Sequence, residues 1–185
     1  GYKLINIDHH VTNPNFGDIN LVIPEASSTA EVMYRLFNDW NIDWNGDIAT
    51  NISCGMITDT NGFTNPATGY NCLYAASEMM GQGAKPHNII KNTLSNNNVE
   101  NLRIWGLALE RLRKSNKYDI AYTWLSQADF KEYNVSENST EGLINFLQIM
   151  KDAEIIMVLT EMPNNTVKGS LRTISNIDLT KLAGI

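Results

Sequence analysis

The sequence predicts an α/β fold, in which a parallel-sheet domain is joined by a helical connector to a smaller α/β domain. Short apolar runs bounded by turn residues are typical of buried strands, and longer stretches between them carry apolar residues at helical spacing. Alternation of these two patterns favours a parallel sheet with crossover helices. With 185 residues, of which 43% are hydrophobic, the chain can bury a core. We expect the first domain at residues 1–114 and the second at residues 115–185, with the boundary near 114–118.

The first domain is predicted to begin with two strands and to continue in helices. Residues 4–7 and 19–23 are apolar runs of a length typical of buried strands. Ser28, with Glu31 three residues later, forms a capping-box pattern that predicts the start of a helix. Further helices are predicted at residues 48–57, at 67–80 and, as a connecting pair, within 88–114.

The second domain is predicted to mix strands and a helix. Residues 120–125 are expected to form its first strand, and residues 141–150 a helix. Residues 155–160 and 167–172 are expected to form a hairpin, because the turn residues Pro163-Asn164-Asn165 lie between them.

Asp8-His9-His10 is the most informative feature of the chain. It follows directly on the predicted strand at residues 4–7, and α/β proteins bind ligands beyond the carboxyl ends of their strands. Imidazole and carboxylate groups are common metal ligands, although an isolated histidine pair is more often structural. The tripeptide therefore marks a candidate site.

Asp59 stands where the predicted helix at 48–57 runs into Thr60-Asn61-Gly62. Taken alone, an aspartate in such a position is most simply a cap or turn residue. His87, which follows Pro86, is explained by the start of a helix and is interpreted as structural.

Five segments of the chain carry a resemblance to a known family: Asn6-Ile7-Asp8-His9-His10-Val11-Thr12-Asn13, Phe16-Gly17-Asp18, Ala26-Ser27-Ser28-Thr29-Ala30-Glu31, Gly55-Met56-Ile57-Thr58-Asp59-Thr60 and Gly169-Ser170-Leu171-Arg172-Thr173. They occur in the order shown by the DHH phosphoesterase superfamily, which is named after the tripeptide Asp8-His9-His10. Within it, the chain resembles the branch of oligoribonucleases (nanoRNases) and 3'-phosphoadenosine 5'-phosphate phosphatases over essentially its whole length.

The resemblance implies a role for each matching residue. His9 corresponds to a metal-ligating histidine, and Asp59 to an aspartate ligand of the same ion. Asp8 corresponds to a catalytic acid that we expect to hold the His9 ring in its tautomer. His10 corresponds to the histidine that faces the scissile phosphate, where it would bind substrate and assist catalysis.

The resemblance also implies a substrate-binding role for Ser170 and Arg172 in the second domain. A guanidinium offers a fork of donors that fits phosphate oxygens. From local sequence alone, a solvated strand arginine is an equally good interpretation of Arg172.

The chemistry expected of this family calls for metal ions. Two divalent ions roughly 3.5–4 Å apart supply a nucleophile at neutral pH and neutralise charge on the phosphate. Mixed nitrogen and oxygen ligands favour manganese, iron or zinc over calcium. We expect manganese, with magnesium or cobalt as alternatives.

The resemblance further implies that other metal ligands of the family precede Gly1 and that a glycine-rich phosphate-binding segment follows Ile185. We therefore expect the chain to be the middle of a longer protein and to be inactive by itself.

Composition restricts the partners that we expect. A net charge of −6 argues against a surface for long duplex nucleic acid and favours short RNA or nucleotide substrates. Cys54 and Cys72 lack the spacing of a disulfide scaffold or zinc site, and the chain lacks a membrane-spanning apolar stretch. These features predict a cytoplasmic protein without a membrane partner, and leave open whether two copies form a homodimer.

The predicted function is hydrolysis of short oligoribonucleotides, 3'-phosphoadenosine 5'-phosphate or both, through water activated between two metal ions. One alternative is a nucleotide-binding regulatory relative without turnover. Within enzymes, the alternatives are a cyclic dinucleotide phosphodiesterase and an inorganic pyrophosphatase, against which the Ser170-Leu171-Arg172 segment counts.

Overall fold

A computed structural model of the chain describes residues 1–94, 98–115, 117–173, 177, 179 and 181. The chain divides into two compact units, Gly1–Asn96 and Asn97–Ile185. Both units combine helices with a sheet that contains a parallel strand pair, which confirms the predicted α/β class.

The first unit contains two parallel strands and four helices. Strands β1 and β2 pair in register from Ile5 opposite Ile19 to Asp8 opposite Val22. The elements are β1 (Ile5–Asp8), β2 (Ile19–Val22), α1 (Thr29–Asp39), α2 (Gly46–Asp59), α3 (Tyr70–Gly81) and α4 (Pro86–Thr93). All six lie where a strand or helix was predicted, with shifted ends.

Strands β1 and β2 were expected to be buried, and within this chain they are only partly so. Ile5 and Ile19 lie opposite each other and are 57% and 51% exposed, whereas the next residue of β1, Asn6, is 6% exposed. Strand side chains alternate between two faces, and α1 packs against β1. The buried position of this strand is therefore polar.

Helix α1 begins at the predicted capping pattern. The hydroxyl of Ser28 accepts a hydrogen bond from the backbone N–H of Glu31 at 3.1 Å. The Glu31 carboxylate accepts from the backbone N–H of Ser27 at 2.8 Å, one residue before the N-cap. Glu31 is 1% exposed, so this contact anchors the loop before the helix from within the core.

Packing between α1 and α2 depends on a glycine. A Cβ atom at Gly55 would lie 2.6 Å from the Cβ of Ala30, closer than two carbon atoms can approach. The core below these helices is formed by buried residues from α1, α2, α3 and the turn that follows: Tyr34, Ala49, Ile52, Met56, Cys72, Ala75, Ala76, Met79 and Ala84.

The second unit is built on a four-stranded mixed sheet of order β3-β4-β5-β6. The central pair β4 and β5 is parallel, and both outer pairs are antiparallel. Its elements are α5 (Val99–Glu110), β3 (Arg113–Ser115), β4 (Ile120–Leu125), α6 (Gln127–Glu132), α7 (Leu143–Leu147), β5 (Ile155–Glu161) and β6 (Val167–Thr173).

Strand β4 and the β5–β6 hairpin occur as predicted, but two short elements, β3 and α6, were not predicted. The helix expected at residues 141–150 is shorter, because the chain reaches it through a 3₁₀ turn at Glu137–Thr140 and a left-handed residue, Gly142 (φ 81°).

Helix α5 packs in the second unit. Its residues Ile104 and Ala108 are 0% exposed and share a hydrophobic core with Leu125 and Ile156 of the sheet. The hydroxyl of Thr123 also donates to the Ala108 carbonyl at 2.6 Å. The sequence interpretation assigned this helix to the first domain, whereas its apolar face is buried by the second unit. Among the described residues, no helix combines the length and apolar character that a bilayer crossing requires.

Candidate metal centre

Two element ends supply the side chains of the candidate site. Strand β1 ends at Asp8, so His9 and His10 follow immediately beyond its carboxyl end. Asp59 is the last residue of α2, where the hydroxyl of Thr60 donates to the Met56 carbonyl and accepts from the backbone N–H of Phe63. The helix end is therefore closed by side-chain hydrogen bonds, which hold Asp59 in place.

The structure brings His9 and Asp59 together. The Nε2 atom of His9 lies 3.2 Å from Oδ2 of Asp59. On the other side of the ring, Nδ1 lies 3.2 Å from the carbonyl oxygen of Ala26. A carbonyl only accepts hydrogen bonds, so Nδ1 carries the hydrogen in this pair, and in the neutral ring the lone pair of Nε2 faces the carboxylate.

This arrangement fits a bound divalent cation. Nitrogen and oxygen ligands lie about 2.0–2.2 Å from such an ion, which puts neighbouring ligand atoms roughly 3–3.5 Å apart. The 3.2 Å separation of Nε2 and Oδ2 falls in this range. A backbone carbonyl on the opposite ring nitrogen is also the usual partner of a metal-binding histidine. The metal-ligand role of both residues remains a prediction.

Asp8 uses both carboxylate oxygens within its own loop. Its Oδ1 accepts from the Nδ1 atom of His10 at 2.7 Å and from the backbone N–H groups of His9 and His10. Its Oδ2 accepts from the side-chain amide of Asn13 at 2.6 Å. These bonds, chiefly those from Asn13 and His10, hold the pKa of Asp8 well below its usual range.

The expectation that Asp8 holds the His9 ring is therefore wrong. Asp8 contacts the backbone of His9, but the ring that it orients is that of His10, because the Nδ1 atom of His9 is taken by Ala26. Sequence order could not distinguish these two rings, since either histidine could have turned towards the carboxylate.

His10 differs from His9 in exposure and in partner. Its side chain is 67% exposed, against 15% for His9, and with Nδ1 on Asp8 its Nε2 atom remains available. The two rings are tilted by 56° with centroids 4.4 Å apart. Ligand atoms of Asp8, His9 and His10 also lie within 4.8 Å of one another, but the oxygens of Asp8 are already engaged, which favours His9 with Asp59 as ligands.

Ser170 and Arg172 lie on β6, in the second unit. Two residues apart on one strand, their side chains belong to the same face of the sheet. Arg172 is exposed, and its guanidinium donates to the neighbouring Leu171 carbonyl at 3.0 Å. Their predicted contact with a phosphate remains a prediction. His87 lies exposed in the first turn of α4, after Pro86, as its structural interpretation requires.

Sequence reasoning assigned no role to Ala26 or Asn13. Ala26 acts through its backbone carbonyl, which side-chain patterns do not reveal. Asn13 ends the first segment that resembles the family, but asparagine in a loop is usually a turn residue, so no separate role was assigned to it.

Comparison with known proteins gives several relatives that are named oligoribonuclease and PAP phosphatase. The chain is 39% identical over 82 residues to the bifunctional oligoribonuclease and PAP phosphatase NrnA of Thermus thermophilus, covering 44% of this chain and 25% of that protein. It is 24% identical over 188 residues to a protein of Streptococcus mutans named probable bifunctional oligoribonuclease and PAP phosphatase NrnA, covering 96% of the chain and 56% of that relative. No protein-family model matches the chain.

A solved structure has the same fold. The exopolyphosphatase-related protein from Bacteroides fragilis superimposes with a TM-score of 0.88 and 27% sequence identity, covering 97% of this chain and 53% of that protein. The chain thus spans about half the length of the relatives that it matches over its whole length. These similarities confirm the family resemblance that the sequence motifs predicted.

Proposed function

Because this chain is related to the NrnA-type DHH phosphoesterases, we propose that the protein to which it belongs is a metal-dependent hydrolase of short oligoribonucleotides, 3'-phosphoadenosine 5'-phosphate or both. The observation that carries the proposal is the 3.2 Å approach of His9 Nε2 to Asp59 Oδ2, with the other ring nitrogen on a backbone carbonyl. Both similarity and geometry support a phosphoryl site at the end of β1.

His9 and Asp59 would hold one divalent cation, for which we propose manganese because a nitrogen and a carboxylate oxygen suit it. When bound, divalent cations supply a hydroxide nucleophile at neutral pH and neutralise charge on the phosphate oxygens.

His10 would act as the general acid that protonates the leaving group. As the oxygen of water forms its bond to phosphorus and releases a proton to solvent, the ester P–O bond breaks, and the leaving oxygen takes a proton from Nε2 of His10. The anionic Asp8 carboxylate, 2.7 Å from Nδ1, balances the charge of the protonated ring and keeps Nε2 directed outward.

We also propose a cytoplasmic location. Both cysteines, Cys54 and Cys72, are free thiols in the structure, and free thiols persist in a reducing compartment.

The test is hydrolysis by the full-length protein with Mn²⁺, using dinucleotide RNA, 3'-phosphoadenosine 5'-phosphate, cyclic di-AMP and pyrophosphate. We expect turnover of the first two substrates. His9→Ala and Asp59→Ala should each lower kcat by about 100-fold or more and weaken Mn²⁺ binding, as loss of a metal ligand does.

Matched controls are His87→Ala and Asp43→Ala, which replace the same residue types at exposed positions away from this cluster. They should leave turnover and melting temperature unchanged. Turnover that survives His9→Ala or Asp59→Ala would contradict the proposed site, and turnover of only cyclic di-AMP or pyrophosphate would contradict the proposed substrates.

A further inference from the structure

A series of hydrogen-bonded side-chain amides connects the parallel strand pair to Asp8. Asn6 and Asn20 are paired in register on β1 and β2, and the Asn6 amide donates to the Asn20 side-chain oxygen at 3.0 Å. The same Asn6 nitrogen donates to Oδ1 of Asn13 at 2.8 Å. Asn13 in turn donates from Nδ2 to Oδ2 of Asp8 at 2.6 Å. This series of hydrogen bonds therefore ends at the carboxylate that holds His10.

The orientation of the Asn13 amide is determined by its neighbours. Its Oδ1 accepts from Asn6 and from the backbone N–H of Asn15, both at 2.8 Å. An oxygen that receives two N–H donors leaves the NH₂ group directed towards Asp8, whose carboxylate can only accept. Asn6 is 6% exposed, so this series of hydrogen bonds begins in the protein interior.

The bond from Asn13 restrains a torsion that is otherwise soft. The terminal torsion of an aspartate side chain is broad, so its carboxylate plane turns easily without partners on both oxygens. Oδ1 of Asp8 accepts hydrogen bonds from the backbone N–H and the ring of His10, whereas Oδ2 accepts one from the Asn13 side chain. Without the bond to Oδ2, the carboxylate plane of Asp8 could rotate, and the hydrogen bond from the His10 ring to Oδ1 would be less well oriented.

We propose that Asn13 is a positioning residue for His10, acting through Asp8. It fixes the carboxylate plane so that Oδ1 receives the Nδ1–H of His10. Nε2 is then the ring nitrogen that takes up a proton and delivers it to the leaving oxygen. This inference rests on the proposed phosphoesterase function for its catalytic consequence. A purely structural role would instead fasten the loop after β1 to the strand without any effect on the His10 ring.

Two substitutions separate these roles in the full-length protein. Asn13→Asp retains an oxygen that accepts from Asn6 and Asn15, but it replaces the donor to Asp8 with a second carboxylate. Asn13→Leu removes both sets of bonds and keeps a side chain that branches at Cγ. Asn15→Gly is the matched control, because Asn15 has a left-handed backbone (φ 56°) that glycine adopts without strain.

The decisive measurement is the tautomer of the His10 ring, read from its imidazole ¹⁵N chemical shifts without metal. We expect the wild type and Asn15→Gly to show an Nδ1–H ring, and both Asn13 variants to show a mixture. With Mn²⁺ and substrate, kcat of both Asn13 variants should fall about tenfold, a part of the 10²–10⁴-fold that general acid catalysis contributes. KM and Mn²⁺ affinity should change less than about twofold, since Asn13 reaches the substrate only through His10.

An unchanged His10 tautomer in folded Asn13→Asp would overturn the proposal. A parallel loss of Mn²⁺ affinity and kcat would also overturn it, because Asn13 would then act on the metal ligands. If Asn13→Leu fails to fold, Asn13→Asp decides, since it keeps the bonds that fasten the loop. If the wild type hydrolyses none of the substrates, the proposed function fails, whereas the tautomer measurement still decides whether Asn13 positions His10.

Discussion

At the residue scale, two adjacent histidines differ in the acceptor that holds the Nδ1 atom, and this difference supports the separate roles that we propose for them. Ala26 holds His9 through a backbone carbonyl, and Asp8 holds His10 through a carboxylate. A neutral acceptor suits a neutral metal ligand, whereas an anionic acceptor suits a ring that carries a proton to the substrate. The proposed roles, metal ligand for His9 and proton donor for His10, are therefore consistent with the partner of each ring.

This difference predicts separable effects of the two histidines. We expect His10→Gln in the full-length protein to lower kcat by about 100-fold, because it removes the proton donor at the leaving group. Mn²⁺ affinity, measured by titration calorimetry, should stay within about twofold of the wild type, unlike that of His9→Ala. Loss of Mn²⁺ binding in His10→Gln would assign this ring to the metal instead.

At the element scale, the start of α1 contributes to the proposed metal centre. Glu31 holds the backbone N–H of Ser27 and an Arg35 guanidinium nitrogen, and the preceding residue, Ala26, supplies the carbonyl at His9. A buried carboxylate in the first turn of a helix thus holds the backbone beside the carbonyl that contacts the proposed ligand His9. The buried Glu31 carboxylate therefore takes part both in capping the helix and in holding the segment that contacts His9.

Removal of that anchor should weaken metal binding. We expect Glu31→Ala to lower Mn²⁺ affinity about tenfold, as loss of an outer partner of a histidine ligand typically does. It should also lower the melting temperature, because Ser27 N–H loses its buried acceptor. Glu25→Ala, at an exposed position of the same loop, is the control. Equal Mn²⁺ affinity of Glu31→Ala and wild type would disprove the link.

In the second unit, an ion pair connects α5 and α6. Arg111, the C-cap of α5, donates two hydrogen bonds to Asp129 at 2.6 and 2.8 Å, and these lower the pKa of Asp129 from 3.8 to about 2. A carboxyl group with a lowered folded-state pKa stabilises the fold fully above its unfolded value. That contribution is lost as the pH falls from about 4 towards 2.

Asp129→Asn should therefore lower the free energy of unfolding by about 2 kcal/mol at neutral pH, the equivalent of a pKa difference between one and two units. The difference from the wild type should shrink as the pH is lowered towards 2. Urea unfolding of the full-length protein at a series of pH values, followed for the second unit by fluorescence of Trp105 and Trp124, measures it. A difference that is independent of pH would show that the ion pair is not its source.

At the scale of the whole chain, net charge bears on the substrates that we propose for the site. The chain carries a net charge of −6, and its predicted phosphate contacts are the few groups of the site itself. Long nucleic acids bind mainly through many lysine and arginine contacts to phosphates. The balance of charge therefore favours substrates with few phosphates beyond the reacting one.

We expect kcat/KM of the full-length protein to fall as an RNA substrate is lengthened from two to about 20 nucleotides. The loss should diminish at higher ionic strength, because salt screens repulsion between the acidic protein and a polyanion. Steady-state kinetics on RNAs of graded length, each at two salt concentrations, gives the comparison. A rise of kcat/KM with length would point to a nucleic-acid surface outside this chain.

The sequence by itself determined the α/β class, the helix start at Ser28, strand β4 and the motif residues Asp8, His9, His10 and Asp59. These depend on local signals such as apolar periodicity and capping patterns, or on motif order, which can be read along the chain. The approach of His9 to Asp59 was expected from the family resemblance. Only the tertiary structure decided that Asp8 holds His10, that Asn6 is buried and that α5 packs with the second sheet. Ring orientation, burial and helix partners depend on atoms distant in sequence, which no local pattern specifies.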